Sequence, residues 1–174
     1  MTWKLVADIG GTNMRLAAGV DGNILRQEIF PTTGTKSLAA AVEEFVSHQG
    51  SKPEAAALAA AGIVHDGAVT LTNTGTIVSE EIVNKAAGIS NAKVLNDFEA
   101  AAWYLANVHR DDVLVLQSQG GFEKLARVII GPGTGLGVGA LVWQGEHPVV
   151  VQGEGGHVRL SPDTPEELEI FKRV

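Results

Sequence analysis

Cysteine is missing from all 174 residues. That excludes disulfides and thiolate metal sites, and it is compatible with a reducing compartment. Cationic side chains are scarce: 13 Lys and Arg stand against 20 Asp and Glu, a formal charge of −7. An acidic chain repels a polyphosphate backbone, so no nucleic-acid partner is expected. An anionic ligand would have to be held by backbone N–H groups and a divalent cation, because bulk charge will not attract it. No run of about 18 uncharged apolar residues is present to span a membrane, and no membrane partner is expected. The opening segment Met1–Asp8 has too short an apolar stretch, broken by Lys4, to be a signal peptide. A soluble cytoplasmic protein is the expectation. Internal repeats and low-complexity tracts are also missing.

What is there is ordinary globular material. Hydrophobic residues make up 45% and charged residues 19%, enough for a core in one large domain or one domain plus part of another. Three short strands open the chain, near 3–9, 14–20 and 24–30, with a glycine turn at Gly10-Gly11 and a hairpin signal at Asp21-Gly22. Residues 36–49 have helical apolar spacing with Ser37 as N-cap. The alanine-rich run 55–61, bounded by Pro53 and Gly62, reads as a buried strand. Further strands are expected at 68–72, 92–95, 113–116, 127–130 and 136–143. Helices are expected from Ser79 toward Ala87, over 98–107, and from Pro165 with Thr164 or Asp163 as cap. Strands first, then alternating strand and helix, argue for a mixed α/β or α+β sheet. The composition shift near 107–112 is the best domain boundary. The last helix breaks off with no C-cap, so the chain is expected to be the first portion of a longer protein.

Four segments could carry chemistry. In Asp8-Ile9-Gly10-Gly11-Thr12-Asn13-Met14-Arg15 an acid ends a strand and two glycines let backbone approach an anion. Thr12 and Asn13 add donors, and Asp8 can hold a hydrated Mg²⁺. The plainer reading is a hairpin with an exposed Asp. Gly131-Pro132-Gly133-Thr134-Gly135-Leu136-Gly137-Val138-Gly139 exposes a row of N–H groups suited to phosphate, or is simply a flexible turn. It is neither a Walker A loop nor a secure dinucleotide fingerprint, since no Gly-Lys-Ser/Thr follows and a strand comes next. In Leu95-Asn96-Asp97-Phe98 a carboxylate lies where a strand ends and a helix begins. Asp97 either caps the helix or accepts a hydroxyl proton during phosphoryl transfer, with Asn96 binding the alcohol's carrier. In Gly153-Glu154-Gly155-Gly156-His157 a glutamate and an imidazole share a glycine loop, where they can bind neighbouring sugar hydroxyls or simply be solvated.

Taken in order, DIGGTNMR, LTN, LNDF, GPGTGLGVG and GEGGH resemble the bacterial-type glucokinases of the hexokinase/actin-like ATPase superfamily, across essentially the whole chain. The resemblance implies an α/β fold of the actin-like ATPase (ribonuclease H-like) type. A mixed-sheet small domain would cover 1–108, and the beginning of a second, larger domain would cover 109–174. It implies ATP-dependent phosphorylation of glucose, or a related hexose, at the 6-hydroxyl. Asp8 goes to the Mg²⁺ region. Gly10, Gly11, Thr12 and Asn13 form the first phosphate segment, and Thr134 and Gly135 the second. Asn96, Glu154 and His157 bind sugar, and Asp97 is the general base. A homodimer is a candidate assembly. The family continues Thr-Asn toward a Trp, whereas Thr72-Asn73 here runs into Thr74-Gly75. It also extends past residue 174 with a further sugar-binding Glu, adenosine-binding glycines and a closing helix, so these 174 residues alone are expected to be inactive. The zinc-binding repressor and kinase branch is disfavoured by the missing cysteines and the extra glycine in Glu154-Gly155-Gly156-His157. The competing expectations are a non-catalytic sugar-binding or regulatory fragment and an inert assembly domain.

Overall fold

Alternating burial along Lys4–Ile9 makes strand β1, whose Leu5 and Ile9 point into the core. In this computed structural model, which describes residues 2–33, 37–71, 74–117, 124–132, 136–151, 153, 155 and 161–173, β1 runs antiparallel to β2 (Asn13–Val20). β2 in turn pairs with β3 (Asn23–Pro31). The hairpin between them places Asp21 at φ 49° and Gly22 at φ 79°. Two successive positive φ values match the strand twist, which is why Asp-Gly suits this turn. Helix α1 (Leu38–Ser47) starts where the Ser37 hydroxyl accepts the Ala40 N–H. Its buried Leu38, Ala41, Val42 and Phe45 follow helical spacing.

The alanine run forms β4 (Ala56–Ala60), parallel to β1. A small hairpin of β5 (Ala68–Thr70) and β6 (Ile77–Ser79) leads into α2 (Glu80–Ala87), capped by Ser79. Then β7 (Ala92–Asn96) joins β4 in parallel. The five-stranded sheet has the order β3-β2-β1-β4-β7. One core cluster fills it, from Trp3 and Leu5 through Phe45 and Leu58 to Val83 and Val94. Helices α1 and α2 pack together over it.

Helix α3 (Asp97–Tyr104) follows β7, and a 3-10 turn at Arg110–Asp112 follows α3. A second sheet of β8 (Arg127–Pro132), β9 (Leu136–Gln144) and β10 (His147–Val151) is antiparallel in the order β10-β9-β8. Helix α3 touches both sheets and so helps to join them. The Arg127 guanidinium of β8 also donates to the Leu105 carbonyl at the end of α3. Helix α4 (Pro165–Phe171) is capped by Thr164, with Pro165 in its first turn.

The architecture is the expected mixed α/β sheet, and three details differ from the sequence reading. Residues 113–116 form no strand: no neighbour pairs with them among the described residues, and Leu114 and Leu116 stand 85% and 91% exposed. Helix α3 stops at Tyr104 because the N–H groups of residues 105–107 bond three residues back, the tighter 3-10 pattern. Strands β6 and β10 go beyond the expected elements.

Candidate active site

Strands β1, β4 and β7 are parallel neighbours in step. Ile9 lies opposite Ala60, and Ala60 opposite Asn96. Three chain segments therefore leave the sheet at one edge: the Gly10 turn, the loop at Gly62 and the Asn96-Asp97 step. Two strand spacings separate the first from the last, roughly 10 Å. The carboxyl ends of parallel strands are where open α/β sheets bind ligands.

The first turn is tightly tied. The Gly10 N–H donates to the Asn13 carbonyl at 2.9 Å. The hydroxyl of Thr32, a buried residue, donates to the Gly10 carbonyl at 2.7 Å, and the Thr32 N–H donates to the Thr12 carbonyl at 2.9 Å. Among the described residues the Gly11 and Thr12 N–H groups have no acceptor. Gly10 shapes the turn, and the neighbouring amides are the ones left open. Asp8 is exposed at the strand end, and its Oδ2 accepts from Arg15 Nη1 at 2.7 Å. Its remaining coordination capacity suits Mg²⁺, whose usual shell is one or two carboxylates completed by phosphate oxygens and water. Among the described residues no three His, Asp or Glu side chains converge on a metal position.

The second segment removes one reading left open by spacing, that Asp97 caps the helix. Asn96, not Asp97, is the N-cap of α3. Its Oδ1 accepts the Phe98 N–H at 2.9 Å and the Glu99 N–H at 3.3 Å, while the Glu99 carboxylate accepts the Asn96 N–H. The Asn96 Nδ2 donates to the Gly62 carbonyl at 2.9 Å, tying α3 to the loop after β4. Asp97 occupies the first helical position, half-buried, with one carboxylate oxygen on the Phe98 N–H. No lysine, arginine or histidine pairs with it among the described residues. A cavity of about 210 Å³ is lined on one side by Gly62, Ile63, Val64, Asn96 and Glu99 and on the other by Val138, Gly139, Val151 and Gly153; Asp97 and the Gly10–Asn13 turn are not among its lining residues.

Thr134, Gly135, Glu154 and His157 lie outside the described residues, as does the Thr72-Asn73 pair. Their flanks are described. Strands β8 and β9 end and begin the glycine string at Pro132 and Leu136, and Gly153 lines the cavity. The string's described glycines, Gly131, Gly137 and Gly139, pack against Phe98. The Phe98 ring lies against Gly131 and Gly137: a Cβ on Gly131 would meet its Cζ at 2.5 Å, and one on Gly137 would overlap the ring. A Cβ on Gly139 would stand 2.5 Å from the Phe98 carbonyl oxygen. Thr32, Phe98, Glu99 and Gly62 all belong to the site's frame. Only the fold reveals them, except Glu99, whose place three residues after Asn96 is a capping-box signal.

At the last residue of α3, the Tyr104 hydroxyl donates to the Asp112 carboxylate. That bond pushes the phenol's pKa up. Asp112 also accepts the His109 N–H at 3.0 Å, the main reason its own pKa falls below the usual carboxylate value.

Comparison with known proteins places the chain. The glucokinase family model matches residues 5–174. A glucokinase from Mesorhizobium japonicum is 35% identical over 173 residues, which covers 98% of this chain and 51% of that protein. The crystal structure of glucokinase from an Antarctic psychrotroph superposes with a TM-score of 0.83 at 32% identity, over 99% of this chain and 56% of that one. The fold extends to the glucokinase of Balamuthia mandrillaris in complex with glucose, with a TM-score of 0.71 at 23% identity, over 98% of this chain and 54% of that one. The chain spans about half the length of the curated relatives it matches. With a family model running from β1 through α4, this chain belongs to the glucokinase family.

Proposed function

We propose that the full-length protein transfers the γ-phosphoryl group of ATP to the 6-hydroxyl of glucose. One observation carries the reading: the in-step parallel strands deliver the Gly10–Asn13 turn and the Asp97 carboxylate to the same sheet edge. Family membership supports it, and the glucose in the Balamuthia mandrillaris structure supports the choice of sugar.

Phosphoryl transfer leaves the protein little covalent chemistry, so catalysis is positioning and electrostatics. The open amides of Gly11 and Thr12, with Gly10 and Asn13 framing them, hold phosphate oxygens from one side. Thr134 and Gly135 hold them from the other. Asp8 is the carboxylate for Mg²⁺, which when bound neutralises phosphate charge. Asn96, Glu154 and His157 hold the sugar, Asn96 through the Nδ2 hydrogen not given to Gly62. Asp97 orients the 6-hydroxyl and accepts its proton as the oxygen attacks phosphorus and the bond to the ADP leaving group breaks. Residues 1–108 and 109–174 supply the two sides of the site. A cytoplasmic setting, where ATP and free hexose meet, completes the reading.

The test is Asp97→Ala in the full-length protein. Removal of a general base lowers turnover by about 10²–10⁴-fold. Glucose binding by calorimetry should stay measurable. Turnover within a few-fold of wild type would show that Asp97 is not the base.

A further inference from the structure

Thr32 follows β3 and belongs to none of the motifs, yet it makes two bonds to the turn that faces the phosphates. Its hydroxyl donates to the Gly10 carbonyl at 2.7 Å and its N–H donates to the Thr12 carbonyl at 2.9 Å. It is the one buried polar residue among the described residues, at 7% exposure. A hydroxyl buried this deeply is retained where its hydrogen bond is needed.

A trans peptide points its C=O and its N–H in opposite directions. The chain has no cis peptide among the described residues. Fixing the Gly10 carbonyl toward Thr32 therefore fixes the Gly11 N–H away from it. Fixing the Thr12 carbonyl does the same for the Asn13 N–H. The Gly11 amide is one of the two that find no acceptor among the described residues. Glycines at 10 and 11 would otherwise leave these peptide planes free to rotate, because glycine restricts φ and ψ least.

We propose that Thr32 is a positioning residue for phosphate binding: it clamps two peptide planes of the Gly10–Asn13 turn so that the open Gly11 N–H faces the nucleotide. The proposal rests on the kinase reading above. It predicts a defect confined to the nucleotide side. Asn96 and Asp97 stand two strands away and take no bond from Thr32.

The experiment compares wild type, Thr32→Val and Thr32→Ser in the full-length protein, measuring KM for MgATP, KM for glucose and the melting temperature. Valine keeps the shape and removes the donor. It should raise KM for MgATP about tenfold, the worth of one buried hydrogen bond, and leave KM for glucose within about twofold. Serine keeps the hydroxyl and should bring KM for MgATP back near wild type. A lower melting temperature with both KM values unchanged would reduce Thr32 to a structural residue and overturn the proposal, as would an equal rise in both. If Thr32→Val does not fold, Thr32→Ala must show the same one-sided change. Absence of glucose phosphorylation by the wild type would sink the kinase reading itself, and this inference with it. Wild-type turnover with an insensitive MgATP KM would sink the inference alone.

Discussion

Arg15 and Asp8 sit directly opposite each other across β1 and β2, with guanidinium and carboxylate 2.7 Å apart. Both side chains are about half exposed, at 50% and 56%, so screening by water leaves the pair little stabilising effect. Arg15→Met should change the unfolding free energy by less than about 1 kcal/mol, measured by urea denaturation. Asp8→Asn should be as mild on stability, yet it should cut turnover of the full-length protein at least about a hundredfold, because metal-borne charge stabilisation is worth several kcal/mol. Wild-type turnover in Asp8→Asn would overturn the proposed Mg²⁺ role of Asp8.

Gly137 has no room for a side chain under Phe98. Gly137→Ala should destabilise the chain by about 1–3 kcal/mol through overpacking. Adding Phe98→Ala should recover part of that loss, since the methyl group then occupies space the ring has vacated. A double-mutant cycle by chemical denaturation measures the coupling. Strict additivity would mean the ring and the glycines do not meet in solution.

Asn96 serves the helix as well as the site. Asn96→Ala removes the cap and leaves the Gly62 carbonyl without its donor, for a loss of about 1–2 kcal/mol. Asn96→Asp keeps the cap but turns a donor into a second acceptor facing that carbonyl, so it should fall between wild type and alanine. Thermal and urea unfolding rank the three variants; aspartate as stable as wild type would show the Gly62 bond to be idle.

Tyr104 is the only tyrosine in the sequence, so ultraviolet titration of tyrosinate reports it alone. Its ionisation should lie above the ordinary value of about 10, because ionising breaks the bond to Asp112 beside an existing negative charge. Asp112→Asn should bring it back down. The linkage has opposite signs at the two ends of the pH scale. The raised phenol contributes stability below its unfolded pKa and loses it as pH rises through the folded one. Asp112, with its folded pKa lowered, contributes above its unfolded pKa and loses that as pH falls through the folded one.

Local signals made the early part of the fold readable. Asp21-Gly22, the Ser37 and Ser79 caps and the apolar spacing of Leu38, Ala41, Val42 and Phe45 each act within a few residues, and each element formed near its expected place. The alanine run was harder. Its propensity favours helix, and its place between two parallel strands decides for β4. Residues 113–116 show the converse: Val-Leu-Val-Leu has strand propensity, but a strand exists only where a partner supplies the ladder. At the site, motif order singled out Asp8, Asn96 and Asp97, and the fold sets them at the carboxyl ends of β1 and β7. Thr32 was not singled out, because its two bonds span 20 and 22 residues and a threonine after a strand carries no periodic signature. The glycine string was read for its N–H groups alone; that the Phe98 ring leaves no room for a side chain at Gly131 and Gly137, and the Phe98 carbonyl none at Gly139, is visible only in the fold.

Phe98 is the next residue after Asp97, and its ring is the knob that fills the socket of the second sheet. A knob in a socket transmits torque. A swing of β8–β10 relative to the first sheet would press on that ring, which is one peptide link from the carboxylate. The tilt of the second sheet and the setting of Asp97 should therefore be coupled, and substitutions that loosen the fit at Gly137 should disturb both together.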